Sequence, residues 1–446
     1  MIWIEFIILI GMILIGSQMK GIGLGVMGMV GLLIFIFVFN LKPTDPPLDV
    51  MLIIMAIVTT AATLQASGGL DYLVQLAEKI IRSNPSNITF IAPFTVYFLC
   101  LFAGTAHIVY SLLPIISEVS AKKRIRPERP LSISVIASHI ALTGSPMSAA
   151  TAALVVILAY PGALVNIMSI CIPASIIGIL IGCFSVFKKG KELNDDPIFI
   201  EKMQDPEFAQ TMNTSSEGTQ AQLKPGAKTS VLIFGCAIIL IVIAGAFPAL
   251  VPHFSPGEKT LAVNADGSLT MVTVISVVTL SAAAAMMLIT KTSTTEVTKA
   301  SLFTSMASAV VSVFGVVWMS STFMHANNDT MQKALGGIVS EHPWTFAIAV
   351  FIMGALMFSQ AATTKTMMPL GIALGLPPSA LIAIFPAVNS DFVLPGYPTL
   401  LAAINFDRTG STKIGKFVIN HSFLVPGVVT ISVAIAVGFL IGSFVL

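Results

Sequence analysis

Between two apolar runs, FAIAVFIMGALMF and LGIALG, the chain places the stretch Ser359 to Pro369, SQAATTKTMMP. It brings a glutamine, threonines and a lysine to what would be membrane depth. Polar groups there are costly unless they line a cavity inside the protein, so the stretch reads as a functional site. The pattern has an earlier copy, GTAHIVYSLLP, from Gly104 to Pro114. Each copy opens on a small residue and closes on a proline that follows an apolar one. Recurrence in both halves makes this the feature around which the rest of the chain is organised.

The flanking composition says what the site is embedded in. The chain is 55% hydrophobic and 10% charged, with mean hydropathy +0.93, far from the balance of a soluble domain. Several runs reach the roughly 20 residues that cross a bilayer. The reading is an all-α polytopic membrane protein. The start, MIWIEFIILIGMILIG, lacks a basic n-region and a small-residue cleavage site, so it is expected to be a retained span. A net charge of +2 makes no case for nucleic acid. Cys100, Cys171, Cys183 and Cys236 sit in apolar runs without metal spacing and read as small core residues. No cofactor is implied.

Taken in order, spans are expected at about 2–16, 21–40 and 49–67. An amphipathic stretch follows, with Leu70, Leu73, Leu76, Ala77 and Ile80 on one face. That pattern suits a helix lying in the interface. The segment 88–118 is broken at GTAH, the helix near 131–160 at TGSPMS, and a last span covers 163–187. Residues 188–228 form a long polar segment and read as an exposed cytoplasmic linker. The order then repeats: spans at about 229–251, 270–290 and 300–324, an amphipathic stretch with Met331, Leu335, Ile338 and Val339, and a broken segment at 345–375. A helix at 380–404 interrupted at LPGYPT and a final span at 421–445 complete it.

Charge fixes how the broken segments run. With the basic loop AKKRIRPERP placed inside, alternation leaves only Lys42, Lys259 and Lys333 outside and Lys365 in the membrane. This holds only if 88–118 and 345–375 each re-enter and leave on one side. The expectation is therefore two inverted-topology repeats, 1–187 with an inner re-entrant hairpin and 229–446 with an outer one. Each has five transmembrane helices plus its hairpin, ten spans in total, with both termini periplasmic. Inverted repeats are an architecture of secondary transporters.

The hairpin tips are expected at Gly104, Thr105, Ala106 and His107, and at Ser359, Gln360, Ala361 and Ala362, with Thr363, Thr364 and Lys365 on the returning helix. Second breaks fall at Thr143–Ala149 and Leu394–Leu400, where Pro146, Pro395 and Pro398 stop the helices. Half-helix N-termini carry partial positive charge and free N–H groups suited to carboxylates. Candidate donors to an anionic substrate are Thr105, Ser145 and Ser148 from one half, and Gln360, Thr363, Tyr397 and Thr399 from the other. Kinked helices without a site are the bland alternative, and four matched breaks argue against it. Lys365 is the candidate cation, since a charge there costs ~2.5–3.5 kcal/mol on insertion scales; snorkelling is its alternative. His107 is a substrate donor or a packed polar group, and His139 reads as a helix–helix contact. For Asp391 three roles compete: proton carrier, cation ligand, or partner of Lys365.

These residues carry a resemblance. The strings QASGGLDYLVQLAEK, GTAHIVYSLLPII, IRPERP, SQAATTKTMMP, LPGYPTLLAA and STKIGKFVINHSFLVPG, spread over almost the whole chain, resemble the anaerobic C4-dicarboxylate transporters of the Dcu family. More distantly, the hairpins and broken helices look like those of the superfamily of divalent-anion, citrate and arsenite carriers. There the tips carry Ser-Asn-Thr; Gly104-Thr105-Ala106 and Ser359-Gln360-Ala361 depart from that signature, which calls the associated sodium sites into question. The resemblance implies exchange of fumarate, malate, aspartate and succinate across a bacterial inner membrane, with fumarate or aspartate entering and succinate leaving during fumarate respiration.

The expected function is a dicarboxylate antiporter with elevator-like motion, acting as a homodimer by analogy. A proton- or sodium-coupled symporter or effluxer is the first alternative. An intramembrane hydrolase using Ser145 or Ser148 with His139 or His107, and an anion channel with the hairpins as filter, are further ones.

Overall fold

The computed structural model describes residues 2–19, 22–213, 222–258, 260–331, 341–357, 359–394, 397–415 and 420–446. Leu335, Ile338 and Val339 of the second amphipathic stretch lie outside the described residues, as do Lys259, Lys333 and Pro395. All regular structure in the described residues is helical, apart from isolated bridges such as His253 with Ser268. The first half holds α1 (Ile2–Gln18), α2 (Gly23–Phe37), α3 (Leu48–Ala66), α4 (Gly69–Ser83), α5 (Ile88–Ala103), α6 (Val109–Lys122), α7 (Glu128–Ile140), α8 (Ala149–Leu158) and α9 (Ala163–Val186). Two short helices follow, α10 (Pro197–Lys202) and α11 (Pro206–Asn213). The second half holds α12 (Ala227–Ala246), α13 (Met271–Thr290), α14 (Thr294–Lys299), α15 (Ser301–Met331), α16 (Trp344–Met357), α17 (Gln360–Ala373), α18 (Pro378–Ile384), α19 (Pro398–Phe406) and α20 (Leu424–Val445).

The outer faces of these helices are apolar. Phe37 and Leu288 are 80% exposed and Phe444 is 83% exposed, a surface that lipid covers and water would not tolerate. Among the described residues, five helices are long and apolar enough to cross a membrane: Pro85–Ala103, Ala163–Val186, Ala227–Ala246, Met271–Thr290 and Leu424–Val445. A sixth candidate bends by 71° between Met51–Ala66 and Gly69–Ser83. The chain is a multi-pass membrane protein. The bend sits at Gly68, whose φ of 80° is left-handed, and it lays α4 across the end of α3. The face of α4 is divided: Leu70, Ala77 and Ile81 are buried against protein, whereas Leu76 and Ile80 are exposed.

Packing crosses between the halves. Helix α2 packs on α15, α3 on α13 and α15, and α9 on α20. The α2–α15 crossing is close because both partners are glycine: a Cβ on Gly315 would stand 1.8 Å from the Gly25 carbonyl oxygen. Further in, α5 packs on α7 and α16 on the 3-10 segment Phe385–Phe392; α8 meets α17, and α6 meets α19. Every residue of α7 and of Phe385–Phe392 is buried, so the broken helices form the centre.

The polar segment 188–228 is not uniformly free chain. Leu193 and Phe199 are buried with Ala121. Arg126 pairs with Glu128 at 2.8 Å and with Asp196 at 2.6 Å, and Ser422 Oγ donates to Glu128 at 2.8 Å. The first part of the segment is thus tied to the basic loop, and through Glu128 to the start of the last span.

Candidate functional site

Each of the four expected breaks exists, and its local chemistry explains it. Helix α5 ends at Gly104, which has φ 70° and approaches the Met147 carbonyl so closely that a Cβ would stand 2.3 Å from it. Only glycine fits there. The first hairpin tip therefore rests on the first broken helix. Thr105 is extended, and its Oγ1 accepts from the His107 N–H at 3.3 Å. The second tip is narrower than the sequence suggests. Helix α17 begins at Gln360, with Ser359 extended as its N-cap and accepting from the Ala362 N–H at 3.3 Å, so Gln360, Ala361 and Ala362 belong to the returning helix.

In the first break, Ser145 Oγ accepts from the Met147 N–H at 3.2 Å. Ser148 Oγ caps α8, accepting from Ala150 at 3.1 Å and Thr151 at 3.4 Å. Their oxygens are engaged, and their O–H groups remain for an external acceptor. The second break differs more from expectation. Its helix leaves α geometry after Ile384, ten residues before LPGYPT, and runs as a 3-10 segment through Phe392. Pro386 lies in the first turn of that segment, and Asn389 interrupts it at φ −90°, ψ 22°. Asp391 therefore lies within the break rather than ahead of it.

Five side chains converge there. His139 Nδ1 lies 2.9 Å from Asp391 Oδ1, and His139 Nε2 lies 2.7 Å from Thr399 Oγ1. Gln360 Nε2 donates to Asp391 Oδ2 at 2.7 Å. The Tyr397 ring meets the His139 ring edge-on at 4.8 Å, and a hydrogen bond links its phenol to Gln360. The first hairpin adjoins this cluster: α6 packs on α19, and the 3-10 turn Ala106–Ile108 packs on α7. His107 itself is exposed and stacks with Tyr110 at 6.1 Å.

The cluster gathers Gln360, Tyr397, Thr399 and Asp391 of the expected residues and adds His139, which sequence reasoning left as a packing contact. It is one, since it joins the two halves, but its partners are the candidate site residues. A buried imidazole needs partners for both nitrogens, and that requirement was the available signal. Thr363 stands apart, its hydroxyl donating to the Ser359 carbonyl at 2.8 Å. Lys365, five residues beyond Gln360, is turned about 140° around α17. Its amine is buried with no hydrogen-bond partner, and the acidic group acting on it is Asp49 at the start of α3. Asp391 is thus bonded to His139 and Gln360, not to Lys365. His139 has both nitrogens engaged and is not paired with Ser145 or Ser148 as a hydrolase would require. Among the described residues no group of three His, Cys, Asp or Glu could hold a metal ion.

Comparison with known proteins gives the family. Residues 1–446 match the family described as "Anaerobic c4-dicarboxylate membrane transporter". The chain is 40% identical to the C4-dicarboxylate transporter DcuA of Wolinella succinogenes, over 100% of both chains. It is 39% identical to the anaerobic C4-dicarboxylate transporter DcuB of Escherichia coli O157:H7, covering 99% of this chain and 98% of that one. In fold it is similar to Neisseria gonorrhoeae MtrF, whose structure is described as illuminating a class of antimetabolite efflux pumps. The TM-score is 0.51 at 13% identity, over 92% of this chain and 84% of that one. Matched along its whole length, this chain belongs to the anaerobic C4-dicarboxylate membrane transporters, a family of carriers and not of enzymes.

Proposed function

We propose that this chain is a secondary transporter exchanging C4-dicarboxylates, fumarate, malate, aspartate and succinate among them, across the bacterial inner membrane by alternating access. The observation that carries the reading is the buried cluster in which His139 of the first half meets Gln360, Asp391 and Thr399 of the second. Polar side chains from both halves, held at interrupted helices, suit a small dianion. The relatives' names supply the substrate class.

The packing supports two inverted repeats. Contact of α3 with α13 is answered by α2 with α15, contact of α6 with α19 by α8 with α17, and the last helices α9 and α20 pack on each other. On this reading α5–α6 is the inner gate and α16–α17 the outer one, both termini are periplasmic, and 188–228 is cytoplasmic. Hairpins and broken helices move together, elevator-like, against α1–α3 and α12–α15, with a homodimer as static frame. Thr105, Ser145 and Ser148 donate to one end of the substrate, and Gln360, Tyr397 and Thr399 to the other. Lys365 offsets part of its charge through space.

Counterflow in proteoliposomes tests the function. Unlabelled fumarate added outside should accelerate efflux of labelled succinate several-fold. Efflux that ignores external substrate but follows a proton or sodium gradient would instead mark a symporter.

A further inference from the structure

The donors that the proposed site would offer a substrate carboxylate are already bonded to a carboxylate of the protein. Asp391 Oδ2 accepts from Gln360 Nε2 at 2.7 Å, and Oδ1 lies 2.9 Å from His139 Nδ1. An ionised carboxylate only accepts, so Nδ1 donates; Nε2 of a neutral ring then receives the Thr399 hydroxyl at 2.7 Å. Asp391, His139, Thr399 and Gln360 are each at most 6% exposed, so water does not compete for these bonds.

We infer that Asp391 is an internal stand-in for one substrate carboxylate. In the substrate-free protein it holds the donors of Gln360 and His139, and a C4-dicarboxylate binds by displacing it. The inference rests on the reading of the site proposed above and adds how that site is kept satisfied when empty.

Three observations carry it. The displaced and the displacing group are chemically the same, so the donors need no rearrangement to exchange one for the other. The bonds also come from separate elements, α17 and the end of α7, the latter 252 positions away in sequence. A purely structural aspartate of this chain behaves differently: Asp407 bonds its own loop at Thr409, Ser411 and Thr412. Finally, the segment carrying Asp391 is where the second broken helix departs from α geometry. It is 3-10 and interrupted at Asn389, whose Oδ1 is buried without a partner. A 3-10 stretch inside a helix commonly marks a hinge.

A stand-in lowers apparent affinity by the fraction of time the donors are taken. Asp391→Asn keeps the shape and removes the charge, so equilibrium binding of labelled succinate to the purified full-length variant should tighten by about tenfold. A second measurement uses the wild type and does not depend on the variant folding. The infrared difference spectrum on adding carboxyl-labelled succinate should contain an aspartate carboxylate band separate from the ligand's own. Unchanged or weaker binding by a folded D391N, or a wild-type spectrum without that band, would overturn the inference while leaving the site's assignment in place. A wild type that binds no C4-dicarboxylate would overturn that assignment, and the inference with it.

Discussion

Helix α17 carries two buried polar centres five residues apart, and they are opposites. At Gln360 the side chain is bonded to Asp391, and Asp391 in turn to His139. At Lys365 the amine is as deeply buried and has no hydrogen-bond partner. In a low-dielectric interior a satisfied network fixes one arrangement, whereas an unsatisfied group raises the energy of the state that contains it. The Gln360 end therefore holds the α16–α17 hairpin against the two broken helices. On the proposed reading, the Lys365 end is where a dianion has most to offer. One helix thus combines a latch with a deficit, and on the proposed reading substrate would address the second while loosening the first.

The contrast can be broken from either side. The largest effect is expected on the satisfied side. His139→Ala leaves Asp391 buried without its main partner, so the melting of the purified protein should show a loss of about 3–5 kcal/mol. An unchanged melting point would mean that the His139–Asp391 contact does not hold the halves together. On the unsatisfied side the sign reverses. Lys365→Met removes an orphan amine and should stabilise the protein by about 1–3 kcal/mol, while succinate transport is lost. Wild-type transport in that variant would detach Lys365 from the substrate, and a loss of stability would mean that the amine has a partner after all.

Much of this fold is legible in the sequence because interruptions leave strong local marks. Gly104 and Ser145-Pro146 punctuate apolar runs at positions where the chain does leave the helix, and Pro398 marks where it resumes. The partnership of His139 is not legible, because its partners lie 252 and 260 positions away and no local pattern connects them. Lys365 stands out as a charge in apolar sequence, yet its rotation away from Gln360 depends on where α17 begins. Ser359 is the cap, so α17 begins at Gln360. The 3-10 run through Asp391 is likewise hidden, since only Pro386 hints at it. Leu193 and Phe199 are too few among polar neighbours to signal that they pack under the basic loop.

The central claim is that two oppositely oriented halves meet at one site reached alternately from the two sides of the membrane. Single cysteines at Thr105 and at Gln360, in a background with Cys100, Cys171, Cys183 and Cys236 replaced, test it directly. Membrane-impermeant thiol reagents should label the first position from the cytoplasmic side and the second from the opposite side, with succinate changing both rates. Labelling of both positions from one side under every condition would contradict the inverted arrangement, and alternating access between the two hairpins with it.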